Sequence, residues 1–108
     1  MSRGEVWLVQ FESAVGGEIR KTRPAVILSN DAANRHLNRV QVAPFTGNVI
    51  KVYPGEALVT MGGNQSKALA SQIATVSKQR LIRRIGRLVN DDLKAVERAV
   101  SIQLGLGG

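Results

Sequence analysis

Residues 18–31, EIRKTRPAVILSND, decide how the rest of this chain is read. Charged residues lead into Pro24, and the apolar run Ala25–Leu28 follows it. Proline is tolerated at the first residue of a strand, and it biases Arg23 towards an extended backbone. A short apolar run bounded by turn residues is typical of a buried strand. We therefore predict a core strand that starts at Pro24, with Arg20, Lys21 and Arg23 directly before its first residue.

Outward from this strand, the chain reads as short strands separated by turns, with one long helix at the end. Residues 29–31 suit the cap of a short helix that runs to about Leu37. The predicted strands are residues 5–11, 24–28, 39–44, 56–60, 68–76 and 81–88, with a long hairpin loop at 12–22.

The last segment has a different pattern. A cap and first-turn acids at residues 90–92 precede Leu93, Val96, Val100 and Leu104, which recur at helical spacing. Many short strands followed by one closing helix predict a mostly β fold, a small and strongly bent barrel with a C-terminal helix.

Composition limits the class of protein. The chain has 108 residues, which suits a single domain spanning 1–108. Fifteen Lys and Arg against eight Asp and Glu give a net charge of +7, which favours a polyanionic partner, most often nucleic acid. Without cysteine there is no disulfide or thiolate site, which fits a reducing cytoplasm. One histidine and scattered carboxylates argue against a catalytic metal, and no apolar run is long enough to span a membrane.

Most of the positive charge lies in three groups. No acidic residue occurs between Ala57 and Asn90. The cations in that stretch are Lys67, Lys78, Arg80, Arg83, Arg84 and Arg87; the second group is Arg20, Lys21 and Arg23, and the third is Arg35 and Arg39 with His36. Groups that share a face would neutralise several phosphates at once. The alternative is solvated strand edges, where Lys and Arg prevent edge-to-edge pairing. The chain has four aromatic residues, so a binder that stacks many bases is less favoured.

Six segments, in order, resemble the MazF/PemK-type toxins of toxin–antitoxin pairs. They are RGEVWLVQF at 3–11, GGEIRKTRPAVILSND at 16–31, VAPFTGN at 42–48, YPGEALV at 53–59, SQIATVSKQRL at 71–81 and IGRL at 85–88. The resemblance implies a small SH3-like barrel of the CcdB/MazF kind that forms a homodimer in the cytoplasm. It further implies a sequence-specific endoribonuclease that cuts single-stranded mRNA without a metal or cofactor and is neutralised by a cognate antitoxin.

The family's catalytic pair, the Arg of Arg-Pro and the Thr of Pro-x-Thr, corresponds to Arg23 and Thr46, and its loop Glu corresponds to Glu18. The implied reaction is attack of a 2′-hydroxyl on the adjacent phosphorus, which leaves a 2′,3′-cyclic phosphate and a 5′-hydroxyl. Together with the charge pattern, the resemblance indicates six candidate RNA-binding residues: Arg20, Lys21, Lys78, Arg80, Arg83 and Arg84.

The residue types agree with this chemistry, except that the general base is not defined. A guanidinium is a planar phosphate clamp, so Arg23 suits charge stabilisation, although it is a poor acid at an ordinary Arg pKa. Thr46 can hydrogen-bond a phosphate oxygen or orient the 2′-hydroxyl. Either Glu18 or His36 could be the base. Several relatives carry an acidic residue at the position of Ser71. This chain therefore has one negative charge fewer near the basic surface that would bind RNA.

Two other functions fit parts of the sequence. Gyrase-inhibiting toxins of the CcdB kind have the same type of barrel, but the Arg-Pro and Pro-x-Thr motifs argue against this reading. A non-catalytic basic RNA-binding module would need the charge but not the Arg23–Thr46 pair.

Overall fold

The computed structural model describes residues 1–11 and 21–107, which form seven strands and two α-helices. The strands are β1 (Glu5–Phe11), β2 (Lys21–Ile27), β3 (Arg39–Thr46), β4 (Glu56–Met61), β5 (Asn64–Leu69), β6 (Ala74–Ser77) and β7 (Leu81–Arg87). The helices are α1 (Asp31–His36) and α2 (Asn90–Leu104), and short 3₁₀ turns span Ala70–Gln72 and Lys78–Arg80.

All recorded strand pairings are antiparallel. The order across the sheet is β4-β5-β3-β2-β1-β7, and β6 pairs with the first half of β3. The second 3₁₀ turn leads directly from β6 into β7, so the sheet curls round on itself. Within the described residues no ladder joins β6 to β7. The predicted class, mostly β with a C-terminal helix, is confirmed, and the barrel-like sheet is open rather than closed.

The second half of β2, Ala25–Ile27, is buried on both faces, and each face contributes to a separate hydrophobic core. Val26 belongs to the first core, which lies between the sheet and α2, whereas Ala25 and Ile27 belong to the second core, enclosed by the curled strands. The first core comprises Val6, Val26, Ala43, Phe45, Ala57, Val59, Ala68, Ala70, Leu88, Val96 and Ala99. The second core comprises Val9, Ala25, Ile27, Val40, Val42, Val76 and Leu81. Burial on both faces explains why this half of the strand is a continuous apolar run.

The largest differences between the predicted and observed strands concern β2 and the segment 68–76. β2 begins at Lys21, so Pro24 lies inside it; pairing with β3 starts only at Ala25, and the proline sits where the strand has one neighbour. The segment predicted as one strand over 68–76 is the end of β5, a 3₁₀ turn and the start of β6. Most of the predicted hairpin loop at 12–22 lies outside the described residues.

Both helices occur as predicted, with different details at α2. Asn30 Oδ1 accepts the Ala33 N–H at 2.8 Å and caps α1. At α2 the cap predicted at Asn90 is wrong, because the helix begins at Asn90 and its N-cap residue is Val89, whose side chain has no acceptor. The predicted first-turn acids are present, and Asp92 Oδ2 accepts the Thr60 N–H of β4 at 2.9 Å. Val96 faces the first core as expected, whereas Leu104 is 53% exposed, contrary to the predicted apolar stripe.

Candidate active site

The register of β2 against β3 brings the two motif residues to neighbouring positions. The recorded pairs run from Ile27–Val42 to Ala25–Pro44. The ladder ends at the Ala25–Pro44 pair; continued two residues beyond that end, the same spacing would set Arg23 of β2 opposite Thr46 of β3. Directly opposite residues in an antiparallel pair have Cβ atoms about 5 Å apart, within reach of one phosphate group.

Both side chains project from the face of the sheet that holds the second core. Side chains alternate along a strand, so Arg23 shares a face with Ala25 and Ile27, and Thr46 shares it with Val42. Arg23 is also paired with Val9 of β1, another member of that core. Arg23 and Thr46 are each half-buried. Rigid strands thus fix both backbones, while the side chains reach solvent at the end of the core.

The hydroxyl of Thr46 is held by the turn that follows β3. The Asn48 N–H donates to Thr46 Oγ1 at 3.4 Å, and Asn48 Oδ1 in turn accepts the Ile50 N–H at 3.3 Å. These local bonds are typical of turns in which Thr and Asn side chains replace backbone acceptors. The bond to Thr46 uses one lone pair of its oxygen, so the hydroxyl proton can still be donated to a ligand.

Lys67 lies directly across the β3–β5 ladder from Thr46 and was not predicted as a site residue. It is only 6% exposed. Its Nζ donates to the Lys51 carbonyl at 2.7 Å, lies 2.8 Å from Glu56 Oε1, and is 5.9 Å from the centre of the Tyr53 ring. The bond from Lys67, together with the Tyr53 N–H, lowers the pKa of Glu56. These contacts fasten the loop of residues 47–55 beside Thr46.

The four described RNA-binding candidates occupy different surroundings. Arg80 Nη1 lies 3.4 Å from the carbonyl of Gln10, the residue of β1 that pairs with Thr22, so Arg80 is near Arg23. Lys78 Nζ donates to the carbonyl of Asn34 in α1. The other two lie on β7, and their positions follow from the strand register.

On β7, Arg83 pairs with Leu8, the residue of β1 next to Val9, so the Arg83 side chain faces away from Arg23. Arg84 Nε lies 3.6 Å from Glu5 Oε2. Of these four cations, the structure therefore brings Arg80 towards the Arg23–Thr46 pair.

Glu5 is a buried acid that sequence patterns did not distinguish from an ordinary strand residue. Burial opposes its ionisation, but hydrogen bonds from Trp7 Nε1 and the Ser2 N–H, with the charge of Arg84, lower its pKa. Arg87 Nη2 lies 3.8 Å from the same carboxylate. This network joins β1 to β7 and neutralises part of the positive charge of β7.

The candidate bases are not brought to the pair by any described contact. Glu18 and Arg20 lie outside the described residues, and for Lys21 only the backbone is described. His36 lies in α1, after the Ile27 end of β2, whereas Arg23 is four residue steps back along that strand, roughly 13 Å.

Two further features hold for residues 1–11 and 21–107. No group of three or more His, Cys, Asp or Glu side chains is arranged to hold a metal ion. Neither helix combines the length and apolarity needed to cross a bilayer.

Comparison with known proteins gives a consistent family. Residues 2–104 match the family described as the PemK-like, MazF-like toxin of type II toxin-antitoxin systems. The chain is 40% identical over 115 residues to a Mycobacterium tuberculosis protein named Endoribonuclease MazF9, covering 98% of each chain. It is 33% identical over 111 residues to Endoribonuclease MazF of Staphylococcus saprophyticus, covering 98% of this chain and 92% of that protein.

The fold also matches solved structures. An endoribonuclease from a mycobacterial species, solved in complex with its cognate antitoxin, superposes with a TM-score of 0.82 at 23% identity. The match covers 100% of this chain and 98% of that one. At this identity, the likeness shows a shared fold.

Proposed function

We propose, since this chain belongs to the family of PemK-like, MazF-like toxins of type II toxin-antitoxin systems, that it is an endoribonuclease toxin acting through Arg23 and Thr46. The relatives at 40% and 33% identity, both named endoribonucleases, support the activity. The observation that carries the proposal is the β2–β3 register, whose last pair, Ala25–Pro44, lies two residues from Arg23 on one strand and two residues from Thr46 on the other. Two groups on adjacent strands can hold one phosphate from two sides.

In the proposed reaction the 2′-hydroxyl oxygen attacks the adjacent phosphorus. The O2′–P bond forms while the P–O5′ bond breaks, so the products carry a 2′,3′-cyclic phosphate and a 5′-hydroxyl. Negative charge grows on the non-bridging oxygens during the attack. Arg23 offers these oxygens a fixed, charged fork of N–H donors, which stabilises the transition state more than the ground state.

Thr46 positions the phosphate in this scheme. Its hydroxyl, anchored by the Asn48 N–H, donates to a non-bridging oxygen. The proton of the 2′-hydroxyl passes to a general base, for which Glu18 is our candidate, and a proton returns to the leaving 5′ oxygen. Arg80, near Gln10, and Arg20 and Lys21, before Arg23, would contact flanking phosphates.

The partners follow from charge and family. We propose single-stranded RNA as substrate, a homodimer of residues 1–108 as the active form, and the cytoplasm as the place of action. The net charge of +7 supports an acidic, partly disordered antitoxin segment that folds across the same basic surface. The relative solved with its cognate antitoxin supports such a partner.

The test is incubation of the purified protein with a long single-stranded RNA in excess EDTA, beside the Arg23→Ala variant. Discrete cuts with 2′,3′-cyclic phosphate ends, made by the wild type and abolished in the variant, are expected. Intact RNA with both proteins would overturn the nuclease proposal. A stabilised gyrase–DNA cleavage complex would then favour the gyrase-inhibiting class. RNA binding without cleavage would favour a plain binding module.

A further inference from the structure

Beside Thr46 there is a small pocket that the proposed reaction does not use. It has a volume of about 220 Å³ and is lined by Asn48, Ile50, Lys51, Tyr53 and Lys67. Two of the lining residues connect it to Thr46: Lys67 pairs with Thr46 across the β3–β5 ladder, and the Asn48 N–H donates to the Thr46 hydroxyl. The pocket is therefore continuous with the candidate active site.

The pocket has an aromatic wall that faces solvent. Among the four aromatic residues of the chain, Tyr53 is the most accessible at 58% exposed, whereas Phe45 is buried and the other two are half-buried. The Lys67 ammonium lies 5.9 Å from the Tyr53 ring centre and helps to hold the ring in place. Exposed aromatic rings beside a nucleic-acid site are platforms on which unpaired bases stack.

The polar groups of the pocket are donors. Asn48 Oδ1 is occupied by the Ile50 N–H, so the amide presents its NH₂ group. Lys67 carries three N–H donors, of which the Lys51 carbonyl and Glu56 take two in the described part of the chain. A base edge with carbonyl oxygens, as in uracil or guanine, would accept from both groups.

We propose that this pocket binds one keto-bearing nucleobase, uracil or guanine, of the nucleotide next to the cleaved bond. The base stacks on Tyr53, and its carbonyl oxygen accepts from Asn48 Nδ2 and Lys67 Nζ. The pocket is smaller than the roughly 300–1,000 Å³ of typical ligand sites, which suits a single base. The proposal rests on the proposed function, because it assigns part of the RNA sequence preference to a site beside Thr46.

The first experiment separates stacking from general surface effects. Dissociation constants are measured for a single-stranded RNA whose cut nucleotide is 2′-deoxy, with wild type, Tyr53→Leu and Tyr53→Phe. Tyr53→Leu should weaken binding by about 5- to 150-fold, and Tyr53→Phe should restore most of the affinity. Leu106→Ala is the matched control, because Leu106 is 59% exposed and lies outside the pocket. Equal affinity of Tyr53→Leu and wild type would overturn the proposal.

The second experiment tests the base edge. Cut sites in a random RNA pool are mapped for wild type and Asn48→Asp, which keeps the acceptor for Ile50 but replaces the NH₂ donor by a second acceptor. Wild type should prefer uracil or guanine at one position, and the variant should shift that position towards adenine or cytosine, which carry amino groups. An unchanged preference at every position overturns the proposal.

The two proposals fail in different ways. If wild type cuts RNA but the Tyr53 and Asn48 variants keep the same affinity and cut sites, the base pocket is wrong and the nuclease stands. If wild type cuts no RNA, yet an oligonucleotide panel shows the Tyr53-dependent keto preference in binding, the nuclease proposal is wrong and the pocket stands.

Discussion

Arg23→Ala and Thr46→Val should be strongly non-additive in their effect on RNA cleavage. Both residues lie two positions beyond the last β2–β3 pair, Ala25–Pro44, so in the proposed function they hold the same phosphate in the same transition state. Residues that act as a unit do not contribute independently, since removing one already disables most of what the other does. Each single variant isolates one donor, and the double variant measures their coupling.

The expected magnitudes follow from the contacts. Loss of one transition-state donor typically lowers kcat by about 10²–10³-fold. Independent action would make the double variant about 10⁴–10⁶-fold slower; joint action predicts that it is within about 10-fold of the slower single variant. Among the residues that the structure describes, Thr46→Val gives up one hydrogen bond, the 3.4 Å bond from the Asn48 N–H. Its unfolding free energy should therefore fall by no more than about 1 kcal/mol.

The assay is single-turnover cleavage of one short RNA by the four proteins, with thermal melting of each. Thr46→Ser keeps the hydroxyl and is the control; it should retain most of the activity that Thr46→Val loses. Full additivity of the two activity losses would refute the shared-phosphate geometry. So would Thr46→Val cleaving within about threefold of wild type while folded.

Three other predictions concern stability. Ile27 is fully buried in the second core, so Ile27→Ala should lower the protein's free energy of unfolding by about 2–5 kcal/mol and Ile27→Val by about 0.5–1.5 kcal/mol, measured by urea titration. Equal losses in the two variants would contradict the packing. The pKa values of Glu5 and Glu56 are lowered in the fold, so their ionised carboxylates stabilise it above their ordinary pKa of 4.5, and this stability is lost as pH falls through the lowered values. The melting temperature should fall on acidification below about pH 4.5, less steeply for Glu5→Gln; parallel curves would refute this. Gly62 has φ +59°, and an added Cβ would have no atom within 4 Å, so substitution there tests backbone strain alone. Gly62→Val should lower the free energy of unfolding by about 1–2 kcal/mol, and Gly62→Asn by much less. Equal losses in the two variants would indicate a steric clash instead.

The elements that the sequence predicted well are those whose pattern is local. The apolar run Ala25–Leu28 indicated a buried strand because burial on both faces removes the need for alternation. Adjacent glycines, such as Gly62 and Gly63, are local turn signals, and both have positive φ in the hairpin between β4 and β5. The spacing of Leu93 and Val96 indicated the helix that covers the first core.

The features that were missed depend on contacts between distant residues. β5, NQSKAL, has weak strand propensity and forms because it pairs along its whole length with β4. The burial of Lys67 depends on Lys51 and Tyr53 in the loop of residues 47–55 and on Glu56 at the start of β4. The pairing of Arg84 with Glu5 needs the β1–β7 ladder, which joins the two ends of the chain. A charge run in the sequence cannot show which of its members are already paired.

The central claim is that the chain cleaves RNA by attack of the 2′-hydroxyl on the phosphate held by Arg23 and Thr46. The most direct measurement uses one RNA with a mapped cut site and a second RNA that lacks only the 2′-hydroxyl at that nucleotide. Wild type should bind both RNAs with similar affinity, cut the first, and leave the second intact at that position. Cleavage of the deoxy-substituted RNA at the same position would contradict the account.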